Sequence, residues 1–198
     1  MRVGVLSIGV SNLFSITSSL KRLGAEVMIL EKPTDAVDAF VFPGVGNFTQ
    51  GASRIKRVKE DLLSYINSGR PFLGICLGMQ MLFEASEEGP GDGLGFFKGR
   101  VERLRAAPKI PHMGWNRLHS VRYSPLTENV EPGEYVYFMH SYAPNPTDER
   151  IVLAITSYGL DFPSIVGEKS VFGTQFHPEK SGQTGQKILR NFLGISRR

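Results

Sequence analysis

Cysteine is almost missing from this chain: Cys76 is the only one among 198 residues. A single cysteine excludes an internal disulfide framework and fits a reducing compartment, so a cytoplasmic location is expected. Long apolar runs are missing too, and none reaches the ~18 residues that a membrane span needs. The opening MRVGVLSIGV is short, no small-residue cleavage site follows it, and it reads as a first strand. Charge of one sign is also scarce. The net charge is only +4, with no block of like charges. Arg54, Lys56, Arg57 and Lys59 look like the solvated side of a helix. Nucleic-acid binding would need a stronger basic stripe. The four histidines show no zinc spacing with each other, with Cys76 or with carboxylates, so no metal is expected. No cofactor is expected either. Pro43-Gly44-Val45-Gly46 lacks the Lys-Ser/Thr of one phosphate loop and the glycine spacing of the other.

What is present is a core former with strong punctuation. Hydrophobic residues make up 41% of the chain, enough to bury a sizeable core. Short apolar runs at Val3–Ile8, Val27–Leu30, Ala39–Phe42 and Phe72–Ile75 alternate with helical spacing. Leu13, Ile16, Leu20 and Leu23 mark one helix, with Asn12 as its N-cap and Gly24 as its stop. Ile55, Val58, Leu62 and Ile66 mark a second, closed by Gly69. Leu77–Phe83 reads as a third. This is the pattern of a mostly parallel sheet flanked by helices, an α/β fold. The turns at Gly9, Pro43–Gly46 and Cys76 should then converge at one sheet edge. In the C-terminal half, Tyr135–Met139 and Ile151–Thr156 read as strands separated by a Pro/Asn/Asp loop, and Ser164–Val166 and Val171–Phe176 as two more. The connections are short, so a mixed or antiparallel extension is expected. Ile188, Leu189, Phe192 and Leu193 close the chain with a helix. Pro90–Gly99 reads as a surface loop. No second boundary is evident, so residues 1–198 read as one domain.

The chemistry centres on Cys76. The string Pro71-Phe72-Leu73-Gly74-Ile75-Cys76-Leu77-Gly78-Met79-Gln80 joins an apolar strand to a reactive side chain, with glycines that permit a sharp turn. That is the layout of a nucleophile elbow. The helix that follows offers backbone N–H groups to a thiolate and to an oxyanion. A buried structural cysteine is the alternative reading. The Phe176-His177-Pro178-Glu179 string bears on the choice. Two residues apart in extended chain, His177 and Glu179 point to one side, so Glu179 can orient an imidazole that faces Cys76. The other reading is a surface turn. His112 and His140 are weaker candidates, and Asp35, Asp38, Glu87 and Glu88 look like surface acids. The expected reaction is acyl transfer to sulfur. Leu77 and the Gly44–Val45 segment would supply the oxyanion donors. Trp115, the only Trp, fits either an interface or the core.

The strings around Cys76 and His177 resemble the class I (triad) glutamine amidotransferases. Within them, Pro43–Phe48, Pro111-His112-Met113-Gly114-Trp115-Asn116 and Tyr137-Phe138-Met139-His140-Ser141-Tyr142 are similar to the glutaminase subunits of imidazole glycerol phosphate synthases. The resemblance implies hydrolysis of L-glutamine by a Cys76–His177–Glu179 triad. It implies glutamine contacts at Gln80, His140, Ser141 and Tyr142, and an oxyanion hole at Gly44, Val45 and Leu77. It implies a (β/α)8-barrel cyclase partner that receives the ammonia and makes imidazole glycerol phosphate in histidine biosynthesis. Asn12, Met113, Trp115 and Lys180 would face that partner. Val10 and Ser11 depart from the small residues of many relatives, and a slightly altered loop is expected there.

Overall fold

A computed structural model describes residues 1–9 and 13–195. Its centre is a sheet of eight strands in the order β2-β1-β3-β4-β13-β12-β11-β8. The N-terminal strands are β1 (Arg2–Leu6), β2 (Glu26–Leu30), β3 (Ala39–Gly44) and β4 (Phe72–Cys76). They run parallel to one another, and β13 (Val171–Thr174) joins β4 in the same sense. Beyond it, β12 (Asp161–Glu168), β11 (Val152–Ser157) and β8 (Ser120–Val121) continue antiparallel. The expected parallel core with an antiparallel C-terminal extension is therefore what forms.

Side-chain alternation along the buried strands feeds two cores, one on each face. Val3, Val5, Val41, Leu73 and Ile75 meet Ile16 and Leu20 of α1 (Leu13–Arg22) and Ile188, Leu189 and Phe192 of α5 (Gly182–Ile195). Phe40, Phe42 and Phe72 meet α2 (Phe48–Ile55) and α3 (Lys59–Asn67). Each fully buried phenylalanine contributes roughly 1.5–3 kcal/mol. Gly24 ends α1 with φ +86°, and Gly69 follows α3 with φ +80°. Both are left-handed positions where glycine has no steric penalty.

Four expectations need correction. The single helix through Ile55 and Ile66 is two helices, because Val58 leaves the helical region at φ −125°, ψ 11°. The apolar spacing carries across the break and hides it. The helix after Cys76 is one turn, α4 (Leu77–Gln80), and does not reach Phe83. The carbonyls of Met81, Leu82 and Phe83 are taken by the N–H groups of Leu94, Phe97 and Gly95. For the same reason Pro90–Gly99 is no free surface loop: Leu94 and Phe97 are buried. The loop expected between residues 139 and 151 contains a strand, β10 (Tyr142–Pro146), antiparallel to β6 (Gly99–Arg103). With β5 (Ala85–Ser86) they form a small second sheet. A two-stranded ribbon, β7 (His112–Arg117) with β9 (Tyr135–His140), completes the fold.

Candidate active site

Cys76 ends β4 in a conformation that side chains other than glycine rarely adopt, φ 55°, ψ −110°. Such strain costs on the order of 1–3 kcal/mol and persists only where the surroundings enforce it. Here the enforcing element is α4, pressed against the backbone of β3. A Cβ on Gly78 would strike the Phe42 carbonyl oxygen, and one on Gly74 would lie 2.5 Å from the Gly78 oxygen. The glycines on either side of Cys76 therefore allow the chain to turn tightly enough to present the sulfur. Cys76 is 6% exposed. Its thiol points at the Met139 carbonyl 3.7 Å away, and the Gln175 amide donates to the sulfur at 3.7 Å.

The second half of the site comes from the neighbouring strand. Pairing of β13 with β4 puts Thr174 opposite Ile75, and the chain beyond β13 runs past the sulfur. His177 is anchored there by its N–H to the Tyr137 carbonyl at 2.9 Å, and its own carbonyl accepts the Ser181 hydroxyl at 2.6 Å. Its Nδ1 lies 2.9 Å from Oε1 of Glu179, and the two side chains are only 3% and 6% exposed. Nε2 of His177 and Oε2 of Glu179 are buried with no formed hydrogen bond. Burial disfavours charge on His177, but contact with the Cys76 sulfur and then with Glu179 outweighs it and raises the pKa to about 10. The imidazole is thus a proton carrier held between a sulfur and a carboxylate.

A crevice of about 220 Å³ opens over the sulfur. Val45, Leu77, Gln80, His140, Ser141 and Tyr142 line it. Gly44 is the register partner of Cys76 in the adjacent strand. Gln80 donates to the Tyr142 carbonyl at 2.9 Å and to Oε1 of Gln175 at 3.1 Å. Two further residues belong here. Glu88 lines the crevice and accepts the Phe48 N–H at 2.7 Å; it is no surface acid. Gln175 is fully buried. Its position two residues before His177 is the signal that could have pointed to it, as Glu179 was read from two residues after. Gly9 lies at the same sheet edge but lines a separate depression with Glu31, Thr49 and Arg57. Gly9 is not among the residues that line the crevice over the sulfur. No Cys or His lines that depression. Among the described residues no His/Cys/Asp/Glu group is placed to hold a metal.

Of the partner-facing candidates, Met113 and Trp115 are 58% and 56% exposed, so Trp115 is not in the core. Trp115 packs edge-on to Tyr137, with ring centroids 6.1 Å apart, and Lys180 Nζ sits 5.9 Å from the same ring. These residues form one surface. Asn12, and with it the expected change of the Val10–Ser11 loop, lies outside the described residues.

A family model described as glutamine amidotransferase class-I matches residues 5–195. The chain belongs to this family. The amidotransferase is 45% identical over 193 residues to the imidazole glycerol phosphate synthase subunit HisH of Sulfolobus acidocaldarius, covering 96% of both chains. It is 47% identical over 201 residues to the protein of the same name from Natronomonas pharaonis, covering 96% of this chain and 93% of that one. Its fold is that of the solved structure of PurLQS from Thermotoga maritima. That match has a TM-score of 0.76 over 98% of this chain and 97% of that one, at 21% identity. No helix among the described residues is long and apolar enough to cross a membrane.

Proposed function

We propose that this class-I amidotransferase is the glutaminase subunit of an imidazole glycerol phosphate synthase, built as one domain over residues 1–198 and acting in the cytoplasm. The observation that carries this reading is the 45% identity, at 96% coverage of both chains, to a protein named as that subunit. The buried Cys76–His177–Glu179 constellation supports the chemistry.

Cys76, as the thiolate, attacks the side-chain amide carbon of L-glutamine. The negative charge on the amide oxygen is taken by backbone N–H groups of Leu77 and the Gly44–Val45 segment. His177 gives its proton to the departing nitrogen, which leaves as ammonia, and a thioester remains on the sulfur. His177 then takes a proton from water, which attacks the thioester and releases glutamate. Glu179 holds the imidazole in register throughout. Gln80, His140, Ser141 and Tyr142 seat the substrate. Glu88, the acid in the crevice, faces its α-ammonium group.

The partner is a (β/α)8-barrel cyclase, docked over Met113, Trp115 and Lys180. The ammonia passes to it and enters imidazole glycerol phosphate. Covering the crevice with a partner keeps ammonia from escaping to water. The test is a glutaminase assay with and without the barrel subunit and its nucleotide ligand, repeated with Cys76→Ala. Ammonia release from glutamine should be weak alone, strong in the complex and lost in the variant. Release that is independent of the partner, or that survives Cys76→Ala, contradicts the reading.

A further inference from the structure

The inner face of β7 carries polar side chains where a core-facing strand usually carries apolar ones. His112 is 3% exposed. Its ring stacks on Tyr158 and Phe138, with centroids 3.9 and 4.7 Å away. Its Nδ1 lies 3.0 Å from Nε2 of His140, and Asn116 Nδ2 lies 3.3 Å from its Nε2. Nδ1 of His140 lies in turn 2.9 Å from the Tyr142 carbonyl.

A carbonyl can only accept, and this assigns every proton in the series. His140 carries its hydrogen on Nδ1, so its Nε2 accepts. His112 therefore donates from Nδ1, and its Nε2 accepts from Asn116. The Asn116 amide is oriented independently: it donates to the Ser157 carbonyl at 3.1 Å, and its oxygen accepts the Arg117 N–H at 2.8 Å. Both rings are neutral. Burial lowers His112 to about 4 and, together with the neighbouring His112 and His177 rings, His140 to about 3.

The series ends on an atom that the crevice uses. The Tyr142 carbonyl also accepts from Gln80, Gln80 donates to Gln175, and Gln175 donates to the Cys76 sulfur. His112 itself does not line the crevice. We propose that His112 is a positioning residue for glutamine binding: by donating to His140 it locks the Tyr142 carbonyl, and through it the Gln80 and Gln175 amides around Cys76. This rests on the glutaminase reading above.

Two substitutions separate the donor from the ring. His112→Phe keeps the aromatic stack and removes the donor. His112→Asn removes the ring and keeps an amide donor at the Nδ1 position. In the complex with the cyclase and its nucleotide, His112→Phe should raise the glutamine KM about tenfold with kcat within about threefold, and His112→Asn should stay within about threefold of wild type on both. If His112→Phe is unchanged, or His112→Asn is worse than His112→Phe, ring packing is what matters and the proposal is wrong. Nitrogen-15 NMR of the imidazoles in the unmodified chain decides the point without turnover. His140 should be the Nδ1–H tautomer, bonded at both nitrogens. The opposite tautomer overturns the proposal even if His112→Phe does not fold. A wild-type complex that releases no ammonia from glutamine overturns the glutaminase reading, and the NMR result still decides the role of His112 in the series.

Discussion

Gly44 at the end of β3 stands directly beside Cys76 at the end of β4, in parallel register. The loop that leaves Gly44 therefore starts level with the sulfur. A Cβ on Gly44 would lie 2.8 Å from the Gly78 nitrogen and 2.8 Å from Leu77 Cβ, so the strand end fits against α4 only as glycine. Gly44→Ala should cost about 1–3 kcal/mol of stability through overpacking. It should also lower kcat more than it raises the glutamine KM, because it displaces the loop proposed to supply the oxyanion donors. Urea unfolding and steady-state kinetics in the complex check both.

The positive φ of Cys76 separates function from stability at one position. Cys76→Gly and Cys76→Ala should both be inactive. Gly relieves the strained backbone and Ala does not, so Cys76→Gly should be the more stable of the two by about 1 kcal/mol or more. In an ordinary strand–helix turn the order is reversed, because glycine gains more freedom in the unfolded chain. Thermal unfolding of the two variants reads the sign.

His177 binds its proton more tightly in the folded chain, with a pKa of about 10 against 6.5 in the reference state. Between those values the folded form holds more protons than the unfolded one. The stabilisation is thus fully present below pH 6.5 and is lost as pH rises through about 10. The urea midpoint should fall as pH rises towards about 10, and Cys76→Ala should weaken that fall. The reason is that the sulfur contributes more than Glu179 to raising the pKa.

Glu88 accepts a backbone N–H from Phe48, which a glutamine oxygen can also do. Glu88→Gln should therefore leave the fold intact while removing the negative charge proposed to face the substrate ammonium. A charge-assisted hydrogen bond lost at a partly buried site is about 1.5–3 kcal/mol, so the glutamine KM should rise roughly tenfold to a hundredfold. Circular dichroism and a glutamine titration test the pair of claims.

Trp115 is half-exposed and packs edge-on to Tyr137. Trp115→Ala should change the stability of the isolated chain by less than about 0.5 kcal/mol. It should weaken cyclase binding by tenfold or more, as expected of an aromatic anchor at an interface centre. Calorimetric titration of the cyclase into the variant gives the answer.

The parallel core and the spatial grouping of His177 with Glu179 and Cys76 were legible because their signals are local. Buried strands are short apolar runs, Gly24 and Gly69 mark helix ends, and Glu179 lies two residues from His177. What stayed hidden depends on tertiary partners. Strand β10 contains Pro144 and Pro146, which read as loop; it is tolerated as an edge strand of its sheet. Strand β7 carries His112, Gly114 and Asn116 on one face, so it has no apolar alternation to detect. The shortness of α4 follows from carbonyls captured by the chain around Leu94, contacts that no spacing within residues 77–83 encodes. Glu88 shows no neighbouring signal at all; only the fold brings it to the crevice.

The hydrogen bond from Gln175 to the Cys76 sulfur spans 99 residues of chain, and it forms only once β13 has docked beside β4. Until then β4 is a bare edge, and the sulfur has neither its base nor its amide. During synthesis the reactive cysteine is made 99 residues before the amide that reaches it. Each chain therefore passes through a period in which Cys76 is present but unmatched, and a product truncated before residue 171 cannot carry the reaction, however well its parallel strands have folded. Such closure of a long loop is slow relative to local pairing, so the appearance of activity should lag the appearance of secondary structure on refolding.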